Sequence, residues 1–289
     1  VGCYFFNNVN LLKISVNNFS DDDRLEISSL IRKIKEKEDF ESVNAEKWLD
    51  VGHLENYFLT KQFVLRTRYF NKLQFDEHGE NVVKTSTNNE KLIDEINWYK
   101  SIPKEISNLV PKILETSTEK NPFIKLEYIK HPTLSELWLY GEFSLEFWKQ
   151  VIEDLFNMIQ KFRNYNKPVS KQEYDAIYLE KTSNRIDELI QTNNFFKKIF
   201  EEDFIIINGK KLKNWKLMKD KIKDKMNTMF NKEDNCLIHG DLYFSNILYD
   251  SENKIYKLID PRGKWGESTS GDIKYDIAKI RHSIVGGFD

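Results

Sequence analysis

The apolar positions of this chain change their period near residue 130. Ahead of that point they come in short runs. Residues 1–19 read as a strand followed by a short helix. "DDDRLEISSLIRKIKEK" then gives an acidic helix start with Ile27, Leu30, Ile31 and Ile34 on one face. A glycine-marked turn in "NAEKWLDVGHLENYFLTKQF" leads into another helix. Strand patterns follow in "FVLRTRYFNKLQFD" and "VVKTS", joined by a turn at "EHGEN". "NEKLIDEINWYKSI" predicts a helix stopped by Pro103, "FIKLEYI" a further strand, and "HPTLSELW" a return to helix.

From about residue 133 the period is helical. "SLEFWKQVIEDLFNMIQKFRNY" is a long amphipathic helix with Ser144 at its N-cap, and "KQEYDAIYLEKTSNRIDELIQ" gives one or two more. In "NWKLMKDKIKDKMNTMF" the stripe Trp215, Met218, Ile222, Met226 and Met229 reads as core packing. A strand-rich part followed by a helix-rich part, with one short hairpin inside the latter, predicts an α+β protein of two lobes.

Composition narrows the function classes. At 289 residues, 40% hydrophobic and 31% charged, the chain reads as soluble and globular, with room for one large or two modest domains. Lysine plus arginine (44) nearly balance aspartate plus glutamate (46), so no overall positive field draws in nucleic acid or an anionic membrane. No apolar run approaches the roughly 18–20 residues of a membrane span. Two cysteines, Cys3 and Cys236, make no disulfide framework, and a reducing cytoplasm is the simplest home. Cys236 and His239 have a metal-like spacing without a second pair, which argues against zinc. The lysine-rich stretches read as solvated helix faces.

The chemistry concentrates in "CLIHGDLYFSNILYD", residues 236–250. Asp241 and Asn246 are five residues apart, and the hairpin "NILYDSENKIYKLID" ends at Asp260, fourteen residues after Asn246. Phosphoryl transfer uses three such groups. One carboxylate orients the acceptor hydroxyl and takes its proton, while an amide oxygen and a second carboxylate hold magnesium on the ATP phosphates.

The lettering H-G-D-L-x-x-x-N, then Asp-Pro-Arg-Gly, then "GDIKYDIAKI" resembles the aminoglycoside phosphotransferase and choline kinase branch of the protein-kinase-like fold, over about residues 63–289. The resemblance implies a small β-rich N-lobe (61–130) and a larger helical C-lobe (131–289). It makes Asp241 the base, Asn246 and Asp260 the magnesium ligands, and His239 and Asp276 braces of the catalytic loop. His239, grouped with Asp241 as catalytic, reads otherwise as a general base or metal ligand. Lys84 would clamp the ATP phosphates, paired with Glu95, with Glu90 and Asp94 as competitors. Backbone groups of Glu127, Tyr128 and Ile129 would meet adenine. Two departures stand out: "RYFNKLQFD" carries no glycine where a phosphate loop is expected, leaving amides around Phe70 to Lys72 to approach phosphate, and His131-Pro132 stands where the family often has glycine. Tyr243, Arg262, Lys264, Trp265 and Glu267 follow the catalytic groups and either touch the acceptor or lie on a surface loop.

"WLDVGHLENYFLTKQF" and "GCYFFNNVNLL" are similar to segments near the end of sugar-nucleotidyltransferase domains. Residues 1–60 are therefore either the remnant of such a domain, with Asp50 from its site, or an N-terminal extension. The start at Val1 and the stop soon after "YDIAK" lead us to expect a piece of a larger natural protein, with part of the acceptor pocket beyond its end. The resemblances together imply an ATP- and Mg2+-dependent kinase of a small hydroxyl compound, an amino alcohol such as choline or a sugar, in capsule or lipopolysaccharide precursor synthesis. The alternative is a non-catalytic kinase-like nucleotide-binding or scaffold module attached to a nucleotidyltransferase. A protein kinase fits less well, because "DPRGKWGESTSGD" is short for an activation segment and lacks Ala-Pro-Glu.

Overall fold

The computed structural model of the chain describes residues 4–6, 9–17, 26–36, 39, 41–44, 46, 49, 51–65, 71–76 and 78–287. They divide into two compact units, Val1–Gly52 and His53–Asp289. In the first unit, helix α1 (Val9–Asn17) lies against α2 (Ile27–Lys35). Leu30 and Ile34, one turn apart, carry the burial of α2, whereas Ile27 is exposed, so the apolar face is narrower than its sequence stripe. The strand expected at the start is not formed at residues 4–6. Trp48 and Asp50, the residues most tied to the nucleotidyltransferase resemblance, lie outside the described residues.

The second unit opens with α3 (Leu54–Leu65), which runs through the first residues of an expected strand. The strand pattern is realised only from β1 (Asn71–Phe75), which pairs antiparallel with β2 (Asn81–Ser86). Their turn is built by Asp76, whose carboxylate accepts from the amides of Glu80 and Asn81 and from the Asn81 side chain. Helix α4 (Asn89–Ser101) follows, capped by the Asn88 side chain. It ends where Pro103 forces Ile102 into an extended conformation. Strands β3 (Ile113–Ser117) and β4 (Phe123–Glu127) complete a sheet of order β1-β2-β4-β3. In that sheet Lys84 sits opposite Leu73 on one side and Ile124 on the other.

The helical part begins with α5 (Leu134–Tyr140), which carries a capping box between Thr133 and Glu136. Glu136 also accepts from the Tyr57 hydroxyl and pairs with Lys61 at 2.8 Å, fastening α3 onto α5. Helix α6 (Leu145–Arg163) buries Val151, Leu155, Met158, Ile159 and Phe162, the spacing its sequence predicts. Helix α7 (Lys171–Asp175) passes through a π-helical turn at Ala176–Glu180 into α8 (Lys181–Thr192). After α9 (Asn194–Glu201) comes a hairpin, β5 (Phe204–Ile207) and β6 (Lys210–Lys213), turning on Asn208 and Gly209, both at positive φ. Asn-Gly is the strongest short hairpin signal, yet the reading of the sequence passed over it. On α10 (Trp215–Met229) the expected core stripe is only half-buried, with Met226 reaching the core.

Strands β7 (Asn235–Leu237) and β10 (Ser270–Asp272) pair around the loop-bearing hairpin β8 (Ile247–Asp250) and β9 (Ile255–Leu258), and α11 (Lys274–Gly286) closes the described chain. One core cluster runs from α4 through α6 to this region, so the β-rich lobe and the helical lobe share their packing. The two-lobed α+β organisation expected from the sequence is the one observed. No described helix is long and apolar enough to cross a membrane.

Trp98 of α4 joins the lobes. Its side chain is 1% exposed, and its indole N–H donates to the Ile238 carbonyl at 2.6 Å, just ahead of the loop that carries Asp241. Trp98→Phe keeps most of the apolar volume but leaves that buried carbonyl without its donor. It is expected to lower stability by about 1–3 kcal/mol in denaturant melts, with the fold retained.

Candidate active site

The loop after β7 is held from behind. The Asp276 carboxylate, wholly buried at the start of α11, accepts from the backbone amides of His239 and Gly240, each at 2.7 Å. Burial raises its pKa to about 7 even though both amides pull it down. His239 is fully buried and packs edge-on against Trp98. Its Nε2–H donates to the Ile259 carbonyl (3.1 Å) and its Nδ1 accepts from the Asp241 amide (3.3 Å), the bonding of a neutral ring. Burial pushes its pKa down to about 4. A buried neutral ring with both nitrogens bonded to backbone is built to brace.

Gly240 explains the Gly in H-G-D. It has φ +80°, and a Cβ there would come within 2.7 Å of the Arg262 side chain, which packs over it. Arg262 is itself fixed, by its amide bond to the His239 carbonyl and by Nη1 donating to the Tyr275 hydroxyl at 2.9 Å.

Asp241, with 40% of its side chain exposed, faces the cleft. Asn246 donates through Nδ2 to the Asp241 carbonyl at 2.8 Å, which leaves its amide oxygen with no protein partner among the described residues. The Ile259 amide donates to the Asn246 carbonyl, so the start of β8 and the residue after β9 lie side by side, and Asn246 stands near Asp260. Asp260 takes a left-handed backbone (φ 53°) that a non-glycine residue adopts only at a cost in strain, of a kind that gathers at functional sites.

Across the cleft, Lys84 Nζ lies 2.7 and 2.9 Å from the two Glu95 oxygens and 2.8 Å from Asp260. Glu90 and Asp94, the competing carboxylates on α4, do not take this place. Burial opposes the Lys84 charge, but Asp260 and Glu95 outweigh it and raise its pKa, so the ammonium is retained.

Two clefts meet at Lys84, Glu95 and Asp260. The first is walled by apolar side chains including Leu73, Val82, Leu126, Leu248 and Ile259, and Glu127, Tyr128 and Ile129 also line it. The expectation for these three is sharpened by the hydrogen bonds. The amides of Glu127 and Tyr128 already donate to the carbonyls of Lys112 and Glu80, so Ile129 carries the N–H that has no partner among the described residues. The second cleft, polar and open, holds Asp241, Arg262 and Lys264. Trp265, a candidate contact for an acceptor, is instead 1% exposed in the core, and Glu267 pairs with Lys264. Of the glycine-free stretch, residues 66–70 lie outside the described residues, and β1 begins at Asn71.

Lys279 is a site residue that sequence reasoning missed. Its ammonium lies 3.0 Å from Asp241 Oδ1 and donates to the Tyr243 hydroxyl at 2.6 Å. It stands three residues after Asp276, on the same face of α11, so helical spacing from the brace could have found it.

The residues fit a magnesium ion by donor chemistry. The Asn246 amide oxygen and the Asp260 carboxylate are hard oxygen ligands. Among the described residues no cluster of three or more His, Cys, Asp or Glu forms a closed cage. Magnesium suits such a partial set, completing its shell with water and phosphate oxygens.

No family model matches the chain, and no curated protein matches it. Among solved structures it is similar to a streptomycin–ATP–APH(2")-IIa ternary complex, at 15% identity and TM-score 0.46 over 79% of this chain and 75% of that one. It is similar to aminoglycoside-3'-phosphotransferase of type VIII (14%, TM-score 0.43, 80% and 83%) and to an ethanolamine kinase of Plasmodium vivax (13%, TM-score 0.40, 95% and 76%). At these identities and scores no residue role carries across, and the roles rest on the side chains described above.

Two outcomes follow from the geometry. A Cβ at Gly263 (φ +83°) would lie 2.5 Å from the backbone of Asp94 and Glu95. Gly263→Ala should therefore push α4 away, cost roughly 2–4 kcal/mol in a denaturant melt, and weaken nucleotide-dependent thermal stabilisation. The depressed pKa of His239 makes the unfolded chain bind the extra proton as pH falls from about 6.5 towards about 4. Stability from this residue is full above pH 6.5 and lost across that window, on the order of 3 kcal/mol. His239→Gln should flatten that limb of the stability–pH curve.

Proposed function

We propose that the chain is an ATP- and Mg2+-dependent phosphotransferase that moves the γ-phosphate to a hydroxyl of a small molecule. The observation that carries this reading is the convergence of Lys84, Glu95 and Asp260 within 2.9 Å, at the junction of an apolar cleft and the polar cleft that holds Asp241. The apolar cleft suits a purine ring, with the Ile129 N–H at its edge. Lys84, held by Glu95, would meet the phosphates. Asn246 and Asp260 would hold magnesium, which when bound draws charge off the phosphate oxygens.

Asp241 accepts the proton of the acceptor hydroxyl as its oxygen bonds to the γ-phosphorus, and the bond to the β-phosphate oxygen breaks to leave ADP. Lys279 holds the Asp241 carboxylate in one orientation, and the Asp276–His239 brace keeps the loop from yielding. Kinases gain their rate by positioning and by charge stabilisation, so rigid support of the base is where this chain would contribute most.

A second reading, a nucleotide-binding module without activity, draws on the absence of glycine between Lys61 and His78. Thermal-shift measurements with magnesium and a series of nucleotides test both readings for binding. Turnover separates them. Asp241→Asn should leave the melting curve near wild type and cut phosphotransfer about 10²–10⁴-fold. An unchanged rate would remove Asp241 from the base role, and a wild type that binds ATP but phosphorylates none of a pool of sugars, amino alcohols and aminoglycosides would favour the module. The link to a nucleotidyltransferase and to capsule or lipopolysaccharide synthesis rests on the sequence resemblance alone.

A further inference from the structure

The cleft beside Asp241 has a charge balance that the whole chain does not share. Apart from the Lys84–Glu95–Asp260 group, its lining carries six cations, Lys91, Lys181, Arg185, Arg262, Lys264 and Lys279, against the carboxylates of Asp94 and Asp241. Three of the six have internal partners: Arg262 bonds Tyr275, Lys264 pairs with Glu267, and Lys279 pairs with Asp241. Lys91, Lys181 and Arg185 have no ion pair among the described residues. Lys181 and Arg185 are one turn apart on α8, and the π-helical turn at Ala176–Glu180 comes immediately before Lys181. Such turns shift the register of a helix face and occur frequently at functional sites.

Lys181 is half-buried without a carboxylate partner. Burial, and then the charges of Arg262, Arg185 and Lys279, outweigh the pull of Asp241 and bring its pKa down to about 8. An ammonium kept in such company is costly unless something negative is brought to it. A cleft of one sign with low-dielectric walls also concentrates ligands of the opposite sign. A cationic acceptor would meet this repulsion, and a neutral one would leave Lys181 unpaired.

We infer that the acceptor is itself an anion, a hydroxyl compound bearing a phosphate or carboxylate group that is held by Lys181 and Arg185 while its hydroxyl faces Asp241. This rests on the phosphotransfer reading and narrows its substrate class. The reaction is unchanged in balance: the hydroxyl oxygen bonds to the γ-phosphorus of ATP, its proton passes to Asp241, and ADP leaves. The product carries one phosphate more than an acceptor already charged.

The test compares matched acceptors on the full chain with ATP and magnesium, following ADP release. Glucose 6-phosphate and glucuronate serve as the phosphate and carboxylate arms, glucose as the neutral control, and choline and an aminoglycoside as cations. The expected result is a kcat/KM at least tenfold higher for one or both anions than for glucose or the cations. Lys181→Ala and Arg185→Ala should raise the KM for that anion at least tenfold, and far more than the KM for ATP. Choline, the aminoglycoside or glucose turned over as well as the anions would overturn the proposal, as would an ATP KM that rises as much as the acceptor KM.

Binding is measured apart from turnover, so that the two readings fail separately. Glucose 6-phosphate and inorganic phosphate are titrated calorimetrically in the presence of magnesium and a non-hydrolysable ATP analogue. Binding of either that is lost in the Lys181→Ala/Arg185→Ala double variant supports the anion site even if no acceptor is phosphorylated. Absence of binding, or binding that the double variant retains, sinks it, whether or not phosphotransfer to another compound is observed.

Discussion

The site depends on one buried carboxylate. Asp276 sits at the first turn of α11 with no solvent to satisfy it, and its two oxygens are taken by the amides of His239 and Gly240. Removing such an acceptor would strand two buried N–H groups, each costing about 1–3 kcal/mol. The arrangement therefore has few alternatives, and neighbouring parts inherit their positions from it. Gly240 turns through positive φ directly after the two held amides, Arg262 fills the space a side chain would have taken, and Asp241 emerges one residue later facing the cleft. The same helix delivers Lys279 to the other side of Asp241. A single element thus supports the Asp241 loop from behind and holds its carboxylate from the front.

What was legible in the sequence was whatever spacing along the chain encodes. Asp241, Asn246 and Asp260 belong to one loop and one hairpin, so their intervals alone bring them near each other. Helix α6 and the turn at "EHGEN" were readable for the same reason, through a 3.6-residue period and a glycine with an asparagine, whereas the part of Asp76 in that turn was not. What stayed hidden was set by contacts between distant segments. Trp98 meets the Ile238 carbonyl across 140 positions, and Lys84 meets Asp260 across 176. No local pattern announces that Lys181 and Arg185, one turn apart on an amphipathic helix, line the cleft that holds Asp241. The π-helical turn that precedes them is equally silent in the letters. The Asn208-Gly209 hairpin is a different matter, since its signal was present and was overlooked.

Net charge hides local detail in a related way. A formal charge of −2 argues against an overall attraction for anions, and for nucleic acid or membranes that inference concerns the whole surface. A small-molecule cleft samples only the charges within about a Debye length, roughly 8–10 Å. The lining of the polar cleft holds seven cations, Lys84, Lys91, Lys181, Arg185, Arg262, Lys264 and Lys279, against the four carboxylates Asp94, Glu95, Asp241 and Asp260, so the near balance of charge over 289 residues does not describe the cleft.

The lysine at the junction of the clefts carries the final constraint. Lys84 is bound to Glu95 through both oxygens and also to Asp260, and the two links are unequal in burial: the Glu95 side chain is almost fully enclosed, whereas that of Asp260 is 40% exposed. Breaking the enclosed pair would leave an uncompensated buried charge, at a cost of about 3–5 kcal/mol. The exposed pair is screened by water and yields more readily. A phosphate chain arriving with magnesium would therefore displace the Asp260 link and leave the Glu95 link in place. Asp260 would exchange a lysine for a metal ion, Lys84 would exchange a carboxylate for a phosphate, and neither group would pass through an unpaired state. On the phosphotransfer reading, a ready substitute waits for each charge, and nucleotide would bind without first exposing what the site has buried.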